Sequence, residues 1–205
     1  MAGCTGPATQ VCINIIPQDD ASFSYSSSTY CITGTNPTPT INTPGGTFSM
    51  APFGVISPST GTIDLPGTGI GTFTVTYMTN GPCPQAFQNT ITITDTPDAN
   101  FSYSSSSYCG TEIAFPIFGA GSSAGVFSST PAGLSLNPST GMINCAASMP
   151  GTYTIMNSIA AGGGCAAVSA NTTVTISPAP PPPAVTDVTY CEGAIASPLA
   201  ANGIN

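Results

Sequence analysis

An all-β fold built as tandem modules is predicted by three observations. The nine residues from Phe23 to Cys31, FSYSSSTYC, return as FSYSSSSYC from Phe101 to Cys109, 78 residues downstream and with one change. Apolar residues alternate with Thr and Ser in TFTVTY (residues 72–77) and TITIT (residues 90–94), the period-two pattern of a strand with one buried face. The 23 Gly and 21 Pro punctuate these runs, and no stretch carries helical periodicity.

Each element is written twice. After the first serine-rich strand comes Thr47-Phe48-Ser49, answered by Phe127-Ser128. Ser57-Pro58-Ser59-Thr60-Gly61 is answered by Asn137-Pro138-Ser139-Thr140-Gly141, a turn in which Pro presets φ and Gly accepts positive φ. The strand from Gly71 is answered by Gly151-Thr152-Tyr153-Thr154-Ile155, the corner at Gly81-Pro82-Cys83 by Cys165, and the closing strand at residues 89–94 by residues 172–176. Met50-Ala51-Pro52-Phe53 departs from Ser129-Thr130-Pro131-Ala132, so a different turn is expected there.

These repeats divide the chain into two complete modules, 19–96 and 97–177. Residues 1–18 match the end of a truncated module, because Cys4 is followed by Ile13, Ile15 and Pro17 at the offsets that separate Cys165 from Val174, Ile176 and Pro178. Residues 178–184 are a Pro-rich linker of semi-rigid polyproline type. Residues 185–205 open a further module, with Tyr190-Cys191 restating Tyr30-Cys31.

Charge excludes whole classes of function. The chain has no Lys, Arg or His, and eight acids give it a net charge of −8. Phosphate backbones are gripped by cations that displace counterions, so nucleic acid is excluded as a partner. A serine nucleophile needs a nearby base, and neither His nor Lys exists to serve, so the expectation is a protein that is not an enzyme. No apolar run reaches the length of a membrane span.

Eight cysteines without any histidine and without a Cys-x-x-Cys pair argue for disulfides over zinc. Register between the repeats suggests Cys31 with Cys83 and Cys109 with Cys165, one clamp per module, which places the chain in an oxidising compartment. Cys145 aligns with Leu65 and is expected in the core. Cys12 falls out of phase with Val11, Ile13 and Ile15, facing solvent as a candidate intermolecular thiol. The pairings of Cys4 and Cys191 stay open.

The segments FSYSSSSYC, GVFSSTPAGLSLNPSTGMI and PGTYTI, closed by a glycine-preceded Cys and a TTVTI strand, resemble PKD-like and immunoglobulin-like repeats of large secreted surface proteins of the Bacteroidetes type. DVTYCEGAIASPL (residues 187–199) is similar to the opening of a related module. The resemblance implies Ig-like or PKD-like β-sandwiches joined by short Pro/Asp linkers, at the cell surface or secreted, in adhesins and gliding-type surfaces. It carries over no functional residue.

Three functional readings follow. The first is a non-enzymatic structural segment of an extracellular stalk, fibre or adhesin, with neighbouring modules or copies of itself as partners. The second is a filament subunit assembling by strand exchange through its partial end modules. In the third, a carbohydrate-binding module, Tyr25, Tyr30, Tyr103 and Tyr108 would stack on a glycan. No cofactor is expected beyond a calcium ion at a module junction, where Asp95, Asp98 and Asn100 would supply oxygen ligands, with Asp19 and Asp20 in the corresponding places one junction earlier.

Overall fold

The computed structural model describes residues 15–178, 180, 189, 191–193 and 195. The chain is an all-β protein of two compact units. Of the described residues, the first comprises 15–98 together with 159–168, and the second comprises 99–158 and those from 169 onward. Cys4, Cys12 and most of the outer partial modules lie outside the described residues.

In the first module the strands are β1 (Phe23–Ser24), β2 (Thr29–Cys31), β3 (Thr40–Ile41), β4 (Thr47–Ala51), β5 (Gly71–Met78) and β6 (Ala86–Thr94). Four of them form a sheet in the order β2-β6-β5-β4, while β1 pairs with β3. Strand β2 runs parallel to β6, with Tyr30 opposite Ile93 and Cys31 opposite Thr94. In β5 the residues Phe73, Val75 and Tyr77 point inward and are buried, and the intervening Thr residues face outward. They pack with Ile91 and Ile93 of β6, Phe48 of β4, and Ile63 and Leu65.

The second module repeats the plan with β7 (Ser107–Cys109), β8 (Ile113–Ala114), β9 (Val126–Thr130), β10 (Ile143–Asn144), β11 (Gly151–Ile159) and β12 (Val168–Ser177). Its sheet order is β7-β12-β11-β9, again with the short Tyr-Cys strand parallel to the closing one. Tyr108 stands opposite Ile176 and Cys109 opposite Ser177, matching the register of the first module.

Matching residues meet matching partners. Phe23 lies edge-on to Tyr25 and Phe48 at 5.9 and 5.3 Å. Phe101 meets Tyr103 and Phe127 at the same two distances. The Tyr25 hydroxyl donates to the Gly61 carbonyl and that of Tyr103 to the Gly141 carbonyl, tying the first segment of each module to its Pro-Ser-Thr-Gly turn. Each turn closes on a backbone bond, from Gly61 N–H to the Ser57 carbonyl and from Gly141 N–H to the Asn137 carbonyl.

Leu65 and Cys145 are both buried, as their alignment predicts. Each starts a short helical turn, α1 at Leu65–Thr68 and a 3-10 turn at Cys145–Ala147. The turn expected to differ does not: β4 and β9 both end at a cis X-Pro bond, Ala51-Pro52 and Thr130-Pro131. The serine-rich segments are less regular than the expected strand. Ser27 N–H donates to the Tyr30 hydroxyl at 2.9 Å, and Ser105 N–H to that of Tyr108 at 3.0 Å, so side chains take the place of a ladder.

Candidate functional site: the cysteine staple

The disulfide joins Cys31 to Cys165, with Cα atoms 4.7 Å apart and 134 positions between them in sequence. It lies in the first unit, to which the corner at 159–168 belongs although it is written in the second repeat. Cys83 and Cys109 carry free thiols, so the expected pairs Cys31–Cys83 and Cys109–Cys165 are corrected.

Strand direction explains why. Cys83 precedes Ala86, where β6 begins, whereas Cys31 pairs beside Thr94, where β6 ends. Eight residue steps of strand separate these ends by about 27 Å, and a disulfide requires Cα atoms within about 7 Å. The second module has the same arrangement, with Cys165 before Val168 and Cys109 beside Ser177 at the far end of β12. A cysteine at this corner therefore cannot reach the Tyr-Cys cysteine of its own repeat.

The corner that does reach Cys31 is shaped by glycine. Gly162 and Cys165 exchange two backbone bonds, of 3.1 and 2.9 Å, around Gly163 and Gly164. Both central residues have positive φ, 58° and 77°, the requirement of a two-residue type I′ loop. A Cβ on Gly164 would fall 2.7 Å from the Thr29 carbonyl oxygen and 2.8 Å from Tyr30 Cα, so only glycine lets the loop lie flat on β2. Thr94 donates its hydroxyl to the Gly163 carbonyl, and Cys165 Sγ rests 3.2 Å from the Asp95 carbonyl oxygen. Cys31 and Cys165 are both buried.

The remaining thiols differ in access. Cys109 and Cys191 are exposed, Cys83 is partly buried and Cys145 is buried. Burial raises the pKa of Cys145, with smaller contributions from Glu112 and Cys109. Cys83 sits at a corner with Pro82 where the other has Gly164, closed by a bond from Thr79 N–H to the Gln85 carbonyl. Its Sγ lies 3.7 Å from the Ile16 carbonyl oxygen, and its own carbonyl accepts Asp19 N–H at 3.2 Å.

The acidic residues of the expected calcium site are placed as follows. Asp95 is exposed and accepts Thr96 N–H, Asp98 is half-buried, and Asn100 is exposed in the second unit. Among the described residues no three His, Cys, Asp or Glu side chains group as metal ligands. Asp20 accepts Ser22 N–H, the Ser22 hydroxyl and Asn42 Nδ2, which together hold its pKa below the ordinary carboxylate value.

The tyrosines considered for glycan stacking are engaged in the fold. Tyr25 and Tyr108 are buried, and all four hydroxyls bond to their own module. A shallow groove lined by Ser128, Ser129, Thr130, Thr154, Met156 and Asn171 presents no aromatic face.

No protein-family model matches the sequence, and no relative is found among curated proteins. Solved structures similar to the chain include mouse cadherin-23 EC22-24, at 16% identity and TM-score 0.30 over 77% of this chain and 67% of that one. Another is BT4661, a SusE-like surface located polysaccharide binding protein of Bacteroides thetaiotaomicron, at 16% identity and TM-score 0.29 over 77% of this chain and 34% of that one. Drosophila N-cadherin EC1-4 matches at 11% identity and TM-score 0.32, over 76% of this chain and 49% of that one. The chain thus spans between a third and two thirds of the structures it is similar to. No helix among the described residues is long and apolar enough to cross a membrane.

Proposed function

We propose that the chain is a non-enzymatic structural segment of an extracellular surface stalk or fibre, its modules serving as spacers under tension. The observation that carries this reading is the Cys31–Cys165 disulfide, which binds the corner of one repeat to strand β2 of the repeat before it. Under a pull on the chain ends, sheets resist through their hydrogen-bond ladders, and the staple holds the residues between its two cysteines out of the extension. An oxidising compartment outside the cytosol suits such a bond. With no cation anywhere in the chain, apolar burial, sheet pairing and this covalent link supply the stability.

Single-molecule extension tests the proposal. A fully stretched chain spans about 3.4 Å per residue, so reduction of the staple over 134 positions lengthens the final extension by about 450 Å. Equal extension before and after reduction would remove the mechanical role.

A further inference from the structure

The two modules share a fold but not a surface. Two matched contacts fix which residues correspond around β8: a Cβ on Gly61 would meet Pro39 Cγ at 2.7 Å, and one on Gly141 would meet Pro116 Cγ at 2.9 Å. Ser24 stands opposite Thr40 as Ser102 stands opposite Ile117. In this register Asn36, Thr38 and Thr40 correspond to Ile113, Phe115 and Ile117. All six are exposed and alternate with buried or partly buried neighbours. The exchange extends to the adjoining strand, where Thr62 and Asp64 flank Ile63 as Met142 and Asn144 flank Ile143. In the first module the Thr38 and Thr62 hydroxyls bond at 2.8 Å; in the second, Phe115 and Met142 hold those positions. One scaffold thus carries a polar, charged face in one copy and an apolar, uncharged face in the other, so folding alone does not call for the apolar set.

We propose that this face of the second module, centred on Phe115, docks against the same face of a second copy of the chain, giving a two-fold, side-by-side dimer. The stripe Ile113-Phe115-Ile117 reads the same in both directions. A two-fold axis lying between the facing sheets and across the strands at Phe115 therefore sets Phe115 on Phe115 and each Ile113 on the Ile117 of the other copy. Sheets pack face to face about 10 Å apart, a gap that such side chains fill.

Area and charge favour a second copy over other partners. Ile113, Phe115 and Ile117 are 56%, 60% and 52% exposed. At about 200 Å² for a fully exposed large apolar residue, they offer about 340 Å² per copy and about 700 Å² for two. The smallest stable interfaces bury about 1,200 Å², of which about 60% is apolar, so two copies meet that need. Of the eight acids, Asp19, Asp20, Asp64, Asp95 and Asp98 fall in residues 19–98 and Glu112 alone in residues 99–178. The Glu112 carboxylate is engaged by Cys109 N–H at 3.0 Å. Copies that repel through the first module can therefore meet through the second, where a cationic partner finds little charge to hold it. A two-fold contact closes at two copies and joins chains laterally, so it stands whether or not the modules act as spacers under tension.

Sedimentation equilibrium of the full chain, with accessible thiols blocked by iodoacetamide, tests the proposal. A reversible dimer with a Kd on the order of 10 to 100 μM is expected at physiological salt. Added salt should tighten it by screening the net charge of −8. Phe115→Thr should weaken the dimer at least tenfold, as should the quadruple variant Ile113→Asn/Phe115→Thr/Ile117→Thr/Met142→Thr. Those substitutions give the second module the residues its twin carries, and an unchanged circular dichroism spectrum shows that it still folds. Ile113→Lys and Ile117→Glu should each weaken association, and mixing the two variants should restore it at least threefold, because the two-fold places the two charges opposite one another. A chain that stays monomeric at millimolar concentration, a dimer that Phe115→Thr leaves unchanged, or a mixture no better associated than either variant alone would overturn the proposal.

Discussion

Asn157 holds in the second module the place that Tyr77 holds in the first, and both side chains accept a hydrogen bond from an equivalent glycine. The Tyr77 hydroxyl accepts Gly46 N–H at 2.8 Å, and Asn157 Oδ1 accepts Gly125 N–H at 2.7 Å. Tyr77 donates to the Thr43 carbonyl, while Asn157 Nδ2 donates to the carbonyls of Ala99 and Ser123. A fully buried amide thus replaces an aromatic ring by using both of its N–H donors and its carbonyl oxygen.

Asn157→Leu removes three hydrogen bonds and leaves the buried Ala99 carbonyl, the part-buried Gly125 N–H and the Ser123 carbonyl without this partner. At about 1 to 3 kcal/mol for each stranded group, with incomplete additivity, a loss of about 3 kcal/mol is expected. Denaturant unfolding reads it, with the second module as the part that loosens. A variant within about 0.5 kcal/mol of the parent would mean the amide network contributes nothing net.

Gly61 and Gly141 make a matched pair for substitution. Both have φ of 71°, and a Cβ would fall 2.8 Å from the ring of Phe48 in one case and of Phe127 in the other. Left-handed strain and ring displacement together make Gly61→Ala and Gly141→Ala each cost about 2 to 4 kcal/mol. The two values should agree within about 1 kcal/mol, as thermal unfolding of the single variants will show. Widely different values would mean the repeats are not built alike.

Alkaline pH tests the two tyrosines that bind these glycines. Burial raises the pKa of Tyr25 and Tyr103 well above the ordinary phenol value, with Tyr30 adding to the first and Tyr108 to the second. A raised folded-state pKa contributes stability that is fully present below the unfolded value of about 10 and lost as pH climbs above it. Unfolding and phenolate absorbance should therefore rise together above about pH 10. The double variant Tyr25→Phe/Tyr103→Phe should shift that transition upward, or abolish it, at some cost in neutral-pH stability.

Thiol access gives an ordered labelling experiment. Iodoacetamide on the native, non-reduced chain should modify Cys109 and Cys191 first and Cys83 more slowly. Cys145, buried and with a raised pKa, should react only on unfolding. Rapid native labelling of Cys145 would contradict its place in the core.

Much of this fold is legible in the sequence because the repeat is its own control. Alternation in TFTVTY places Phe73, Val75 and Tyr77 inward, and alignment alone puts Cys145 in the core beside its counterpart Leu65. Strand direction was not legible. Two short segments at the ends of a module pair as readily parallel as antiparallel on pattern grounds, yet the choice decides which end of β6 receives Cys31. Had β2 been assigned parallel to β6, the distance from Cys83 would have excluded the one-clamp-per-module pairing. The glycines preceding Cys165 were a further signal, since Gly163-Gly164 is the loop chemistry that lets a corner approach another backbone.

The staple's energetic weight follows from its span. In the chain-entropy model a link across 134 residues restricts the unfolded chain by up to about 5 kcal/mol, so Cys31→Ser and Cys165→Ser should each cost several kcal/mol and the double variant little more.

Disulfide mapping of the oxidised chain, digested without reduction, tests the staple most directly. Trypsin finds no Lys or Arg, so chymotrypsin and an acid-directed protease are used. A linked peptide pair containing Cys31 and Cys165 is the predicted result; recovery of Cys31 joined to Cys83, together with Cys109 joined to Cys165, would contradict it.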